Sequence, residues 1–319
     1  MTETAAPQPH PAGADDDEFH PPTTDDPFWT ETCWFTFSVP ERRLSGQLYP
    51  FFRPNQGVLA AGVYVWDDRG HQMWNCRYAK NFWHLPIPDQ PLSDIELPNG
   101  IRYRTITPLH EYRIGFDDPD SDDLHIDLTF TSVARPNMLM DSHLDQPGRY
   151  RGTIVLDGEQ IPVDSYGFRD RSWGPRSQFG DTIHGATNGG YSYATASERD
   201  GFHAITMNYG GACLGIHGYV VRDGIWSKLA SATREVVERD PDSGLPRRVV
   251  LDLVDEAGRE LHADGTCHNG IVLPLNPNLL TMNCLTEWTF DGITAFGEDH
   301  DNYAAASLRR FIRAHHGWS

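Results

Sequence analysis

The chain has 319 residues, with 26 basic against 45 acidic side chains, a net charge of −19, and 39% hydrophobic residues that include nine Trp. That length fits one large domain or two of about 150 residues each, and the aromatic content excludes a wholly disordered chain. The acidity argues against nucleic-acid and anionic-membrane partners, which need basic patches to displace counterions.

No apolar run approaches the roughly 20 residues of a spanning helix, so membrane insertion is not expected. The N-terminus lacks a basic region followed by an apolar stretch. Cys33, Cys76, Cys213, Cys267 and Cys284 are odd in number and contain no CxxC spacing, which reads as reduced thiols in a cytoplasmic protein. Lys80 and Lys228 are the two lysines, and neither sits in a Schiff-base motif. Oligomeric state is not legible.

Residues 1–27 hold six Pro and seven acidic residues without a single Lys or Arg. Such a segment buries too little apolar surface to offset its ordering entropy, so 1–27 is expected to be a disordered tail. From Phe28 the pattern turns to short strands. Trp34 to Val39, Val58 to Asp67, Arg102 to Pro108, His110 to Asp117 and Leu124 to Ala134 each read as one. Leu124, Ile126, Leu128, Phe130 and Ser132 alternate with their neighbours at period two, the mark of a half-buried strand.

Asp157-Gly158, Asp200-Gly201, Asp223-Gly224 and Asp291-Gly292 punctuate the second half between strand-like runs. Asp-Gly suits two-residue hairpins because both positions accept positive φ. One helix is expected over Asp301 to Ala314, with Asp301 as its cap and Ala304, Leu308, Phe311 and Ile312 on one face. Many short strands with tight turns predict an all-β protein of antiparallel barrels. The strand density of both halves suggests two, over 28–176 and 177–319, the second carrying the terminal helix.

GxGxxG, P-loop, HExxH and GxSxG signatures are absent, and neither a cofactor nor a metal is expected. The fifteen His are dispersed, and the adjacent pairs Cys267-His268 and His315-His316 point to opposite strand faces. The densest polar cluster is Tyr166 to Arg176 (YGFRDRSWGPR). In an extended segment Arg169 and Arg171 share one face and Asp170 takes the other. Flanking Arg would hold Asp170 ionised, which suits it to orient a substrate or stabilise a cation rather than donate a proton. The cluster reads equally as a binding site or as a hinge that locks Trp173 between two barrels.

His184 and Tyr193 are the nearby candidates for moving a proton, with Tyr191 on the same strand face as Tyr193. Glu287 is a further acid if it points inward. Tyr64, Trp66 and Trp83 belong to an aromatic-rich stretch that reads either as barrel core or as the lining of a substrate pocket.

The segment GFRDRSWGPR resembles the Arg-Asp-x-x-Trp-Gly-x-Arg block of bacterial proteins similar to carotenoid 1,2-hydratase (hydroxyneurosporene synthase), which are tandem lipocalin-like proteins. Tocopherol cyclase and fungal Diels–Alderases resemble the same two-barrel (calycin) architecture. The likeness is specific over about ten residues and diffuse over 28–300. It implies two lipocalin-like barrels and addition or removal of water, or cyclisation, on an isoprenoid-like substrate. In those hydratases the block reads Asp-His-x-Trp. Asp170 and Trp173 match it, whereas Arg171 stands at the His position and cannot transfer a proton near neutral pH.

The resulting expectation is a cofactor-independent lyase or isomerase for a hydrophobic terpenoid, steroid or polyketide. Asp170, Trp173, Tyr193 and His184 would be catalytic, and Tyr64, Trp66, Trp83, Arg171, Tyr191 and Glu287 would line the substrate site. The alternative is a non-catalytic carrier of a hydrophobic molecule.

Overall fold

The computed structural model describes residues 11–176, 182–276 and 278–318. Eleven strands form the first sheet: β1 Trp29–Val39, β2 Leu44–Arg53, β3 Val58–Trp66, β4 Tyr78–Pro86, β5 Asp94–Glu96, β6 Ile101–Thr107, β7 Glu111–Asp117, β8 Leu124–Ser132, β9 Asn137–Leu139, β10 His143–Leu156 and β11 Glu159–Pro175. Nine form the second: β12 Asn188–Thr195, β13 Gly201–Tyr209, β14 Ala212–Arg222, β15 Ile225–Arg239, β16 Pro246–Asp255, β17 Glu260–Cys267, β18 Ile271–Asn276, β19 Leu279–Phe290 and β20 Ile293–Ala304. Helix α1, Ala305–His315, follows β20.

The first sheet runs β4-β3-β2-β1-β11-β10-β8-β7-β6-β5, with β9 added to β10, and curls into a half-barrel. The second runs from β17 through β16, β15, β14, β13, β12 and β20 to β19, and closes where β17 pairs with β19. The result is an all-β fold of two lipocalin-like units, an open one and a closed eight-strand barrel.

Sequence alternation sets which face each strand buries. In β8 the burial follows the Leu124–Phe130 alternation residue by residue, and those side chains enter an aromatic core with Phe35, Phe37, Tyr112 and Tyr150. Three of the four Asp-Gly pairs make the expected hairpins, with φ of 52° and 78° at Asp157-Gly158, 54° and 79° at Asp223-Gly224, and 50° and 76° at Asp291-Gly292. Asp200-Gly201 does not. Gly201 already belongs to β13, and its α-carbon packs where a Cβ would meet the Ala194 carbonyl at 2.7 Å.

Two expectations need correction. Residues 1–10 lie outside the described residues, but the rest of the acidic segment does not behave as a disordered tail. Ala14–Asp17 forms a short turn of 3-10 helix whose Asp17 is 1% exposed. Asp17 accepts from Arg169 at 3.0 Å, Tyr112 at 2.7 Å and the Leu109 amide at 2.6 Å, and Phe19 packs edge-on against Phe52. The sequence reading missed this because the partners lie about 90 to 150 positions away.

The helix also begins later than expected. Asp301 lies in β20, fully buried, and pairs with Arg234 at 3.1 Å and Arg239 at 2.7 Å, while the cap position is Ala304. Leu308 packs with Leu245, Met282 and Tyr303 at the end of the second unit.

Candidate functional site

The segment read as a binding site or a hinge is the C-terminal half of β11, paired with β1 on one side and β10 on the other. Its alternation gives it two different faces. Arg169 and Arg171 point into the half-barrel, where Arg171 pairs with Glu31 at 2.6 Å and also reaches the backbone of Asp17 and Glu18. Trp173 lies on this side too, its ring stacked on His20 with centroids 3.8 Å apart. Arg171 and Trp173 therefore serve the plug made by the N-terminal segment and do not meet Asp170.

Asp170 faces the second barrel. The register sets Asp145 of β10 directly opposite it, with Trp34 of β1 on its other flank. Cross-strand neighbours on one face bring their Cβ atoms within about 5 Å, so two carboxylates stand side by side. Their environments differ.

Asp145 is fully buried. Its Oδ1 accepts from the Tyr191 hydroxyl, and its Oδ2 lies 3.0 Å from His143 Nε2, 3.3 Å from His217 Nε2 and 3.9 Å from His203 Nδ1. Burial alone would push this carboxyl up, but the surrounding imidazoles and their hydrogen bonds bring it well below the usual carboxylate range. Burial pushes Asp170 up to about 6. The neighbouring imidazole of His143 opposes this rise, the Asp145 carboxylate adds to it, and Arg176 and His300 oppose it more weakly. The expectation that flanking Arg would keep Asp170 ionised is thus corrected: Arg169 and Arg171 point into the half-barrel, the opposite face from Asp170.

The histidines sort by company in the same way. Burial pulls His143 down, but the Asp145 charge and hydrogen bond outweigh it, and the net movement is upward. His203 is fully buried with both ring nitrogens unpartnered, and burial holds it down to about 3 despite Asp145. It is neutral at pH 7, whereas the Asp145 charge favours the protonated form of His143. His217 also contacts the Asn137 side chain at 3.0 Å. The donor atoms of Asp145, His203 and His217, and those of His143, Asp145 and Asp170, lie within 4.8 Å of one another. Asp145 binds His143, His217 and Tyr191, and His217 contacts Asn137, so these form one hydrogen-bonded network, against which His203 and Asp170 pack without a hydrogen bond to it.

The second unit supplies the facing wall. Tyr191 stacks on His300 at 5.3 Å, and Trp34 approaches His300 edge-on at 5.3 Å. Tyr193 stacks on Phe168 at 4.5 Å, and its hydroxyl, buried beside Glu298 and Thr36, is pushed well above the usual phenol range. Glu298 accepts from Thr36 at 2.5 Å and contacts His300 at 2.8 Å.

Of the residues named from sequence, Asp170 and Tyr191 belong to this cluster and Tyr193 borders it. His184 lies in an exposed turn with φ 48°. Glu287 pairs with His268 at 2.7 Å, and its side chain is 38% exposed. Tyr64 donates to Asn81, and the fully buried Trp66 donates to Asn269 at 3.1 Å, knitting the two units together. Trp83 is half exposed, at the rim of a separate groove that Tyr64 also lines. His184, Glu287, Trp66, Arg171 and Trp173 therefore do not converge on Asp170.

Asp145, His143, His203, His217 and His300 were missed. The His143-x-Asp145 spacing, which places both on one strand face, was one available signal.

The fold has solved counterparts. A protein of Nitrosomonas europaea assigned as AttH superposes with a TM-score of 0.60 at 14% identity, covering 87% of this chain and 92% of its own. Kievitone hydratase from Nectria haematococca superposes with a TM-score of 0.50 at 8% identity, covering 90% and 91%. Among curated proteins none matches. One family model, described as a domain of unknown function (DUF7064), matches residues 13–298. The chain belongs to the DUF7064 family, whose matched region spans both sheets and contains the Asp145–Asp170 cluster.

Proposed function

We propose that the chain is a cofactor-independent, hydratase-type enzyme that adds or removes water at a double bond of a hydrophobic small molecule of terpenoid, steroid or polyketide type. The observation that carries this reading is the pair Asp145–Asp170 with His143 beside both. Two adjacent carboxylates are driven apart in pKa, Asp170 up to about 6 and Asp145 downward, and an imidazole raised by Asp145 stands beside both on one wall. A solved neighbour that is itself a hydratase supports the reading, as does the Asp170–Trp173 match to the carotenoid hydratase block.

In the proposed mechanism Asp145 holds the His143 ring through Nε2. In hydration, the alkene π electrons take a proton from the His143 imidazolium at one carbon, which leaves a cation at the other. Water then bonds to that cationic carbon as the Asp170 carboxylate takes its proton. Dehydration runs the same steps backwards. Trp34 and Tyr191 offer π faces to a cationic intermediate.

General acid–base pairs of this kind contribute about 10²–10⁴-fold each. The rate should follow a bell in pH. Its acid limb lies near 6, where Asp170 must be ionised, and its alkaline limb lies above 6.5, where His143 must keep its proton.

The test is incubation with a panel of isoprenoid and steroid alcohols and alkenes in ¹⁸O-labelled water, read by liquid chromatography–mass spectrometry, with Asp170→Asn alongside. A product that gains or loses one water and falls at least 100-fold in the variant is expected. Tight retention of one compound by both proteins without turnover would instead establish a carrier.

A further inference from the structure

Arg53 is 5% exposed, and both of its terminal nitrogens lack a hydrogen-bond partner. Its guanidinium lies over the Phe51 ring at 4.7 Å and the Phe28 ring at 5.2 Å, and no carboxylate lies within salt-bridge distance among the described residues. A buried, unpaired cation is costly unless something else supplies its counter-charge. Arg176 lies close enough for the two charges to repel: burial pulls Arg53 down to about 10 and Arg176 adds to the fall, while the more distant Asp26 carboxylate and Tyr49 oppose it more weakly. Arg176 donates to Ser172 at 2.6 Å and to the Tyr49 hydroxyl at 3.3 Å, and it too lacks a carboxylate partner among the described residues.

Each cation touches a residue that lines a groove, Arg53 the ring of Phe51 and Arg176 the hydroxyl of Tyr49. It is a shallow groove of about 50 Å³, open to solvent, between the β2–β4 side of the first sheet and Pro274 of the second unit, lined by Tyr49, Phe51, Phe82 and Trp83. Tyr49, Phe51 and Arg53 occupy alternate positions of β2, on the face that also carries Asp170. The register aligns Phe51 with Thr32, Thr32 with Ser172, and Ser172 with His143. One row of the sheet thus leads from the aromatic groove, past Arg176 on Ser172, to the acid–base pair. At about 4.8 Å per strand, β2 lies roughly 10 Å from β11 and 14 Å from β10.

We propose that Arg53 and Arg176 form an anion subsite, so that the substrate is an amphipathic molecule with a flat apolar body and a carboxylate or comparable anionic group. The aromatic groove holds the body, and the anion replaces the missing partner of Arg53. The substrate assignment rests on the hydratase-type reading; the anion subsite itself does not.

Calorimetric titration with 2-naphthoate and its neutral isostere 2-naphthamide tests it. The wild-type chain should bind the naphthoate at least tenfold more tightly. Arg53→Met should erase that preference while leaving the naphthamide affinity within threefold, Arg53→Lys should keep part of it, and Asp170→Asn should keep all of it. Equal affinities for the two probes, no measurable naphthoate binding, or a preference untouched by Arg53→Met would overturn the proposal. If Arg53→Met fails to fold, the wild-type probe pair and Arg53→Lys decide. Failure of the water-addition assay with the naphthoate preference intact would remove the hydratase reading and leave the subsite standing.

Discussion

Asp145 and Asp170 are the same residue type in opposed positions of one hairpin, and what separates them is company. Asp145 is ringed by His143, His203, His217 and the Tyr191 hydroxyl; Asp170 is buried with His143, Asp145, Arg176 and His300 as its charged or titratable neighbours. The consequence for stability has a definite sign. Asp170 holds its proton more tightly folded, near 6, than unfolded, near 3.9. Its contribution is therefore most favourable below about pH 4 and is lost as pH rises through 6. Two units amount to about 3 kcal/mol. Asp170→Asn should be more stable than wild type at pH 8 by up to that amount and should lose less stability between pH 4 and 7, as measured by urea unfolding at each pH. An unchanged pH dependence would show that Asp170 is ordinarily solvated.

Little of this was read from the residues alone. Sequence placed Asp170 opposite its flanking arginines, which is right. The Asp157-Gly158 turn carried a signal that the reading did not follow: extending its hairpin register from Leu156–Glu159 along β10 and β11 sets Asp145 opposite Asp170, whereas His203, His217 and His300 come from strands beyond that hairpin.

At the scale of elements, β11 does two jobs through alternation. Arg169 and Arg171 bind Asp17 and Glu18 and Trp173 stacks on His20, while Phe168, Asp170 and Ser172 face the second unit. Arg171→Met would strand the buried Glu31 carboxylate and should cost about 3–5 kcal/mol, measured by thermal or urea unfolding. A shift below 1 kcal/mol would mean the plug contributes little. Asp301 separates two readings just as sharply. A helix cap replaced by Ala costs about 1 kcal/mol, whereas removing the shared partner of Arg234 and Arg239 should cost about 3–5 kcal/mol.

Strands β3, β6, β7 and β8 and three Asp-Gly hairpins were readable because their signals are local: period-two alternation and residues that accept positive φ. The plug, the cap position and the strand character of YGFRDRSWGPR depended on partners far along the chain.

At the scale of the whole molecule, each unit fills its own interior. Phe35, Tyr112, Phe130 and Tyr150 pack the half-barrel; Phe202, Trp288 and Phe290 pack the closed barrel, with Arg234, Asp299 and Asp301 paired at its other end. The site proposed above therefore lies not in a barrel mouth but in the layer between units, a common place for binding sites. The resemblance in ten residues pointed to the right architecture, and of the residues named from sequence Asp170 and Tyr191 lie in the layer between the units. His184 and Glu287 did not reach it, since proximity in sequence does not fix which wall a side chain joins.

The most direct measurement of the proposed acid–base pair needs no substrate. A ¹³C-detected NMR titration of the aspartate carboxyls, with Asp170→Asn for assignment, should show one carboxyl titrating near pH 6 that vanishes in the variant, and a His143 ring titrating above 6.5. If the Asp170 carboxyl titrates below pH 4.5 instead, it is not poised for proton transfer, and the layer between the units is architecture rather than an active site.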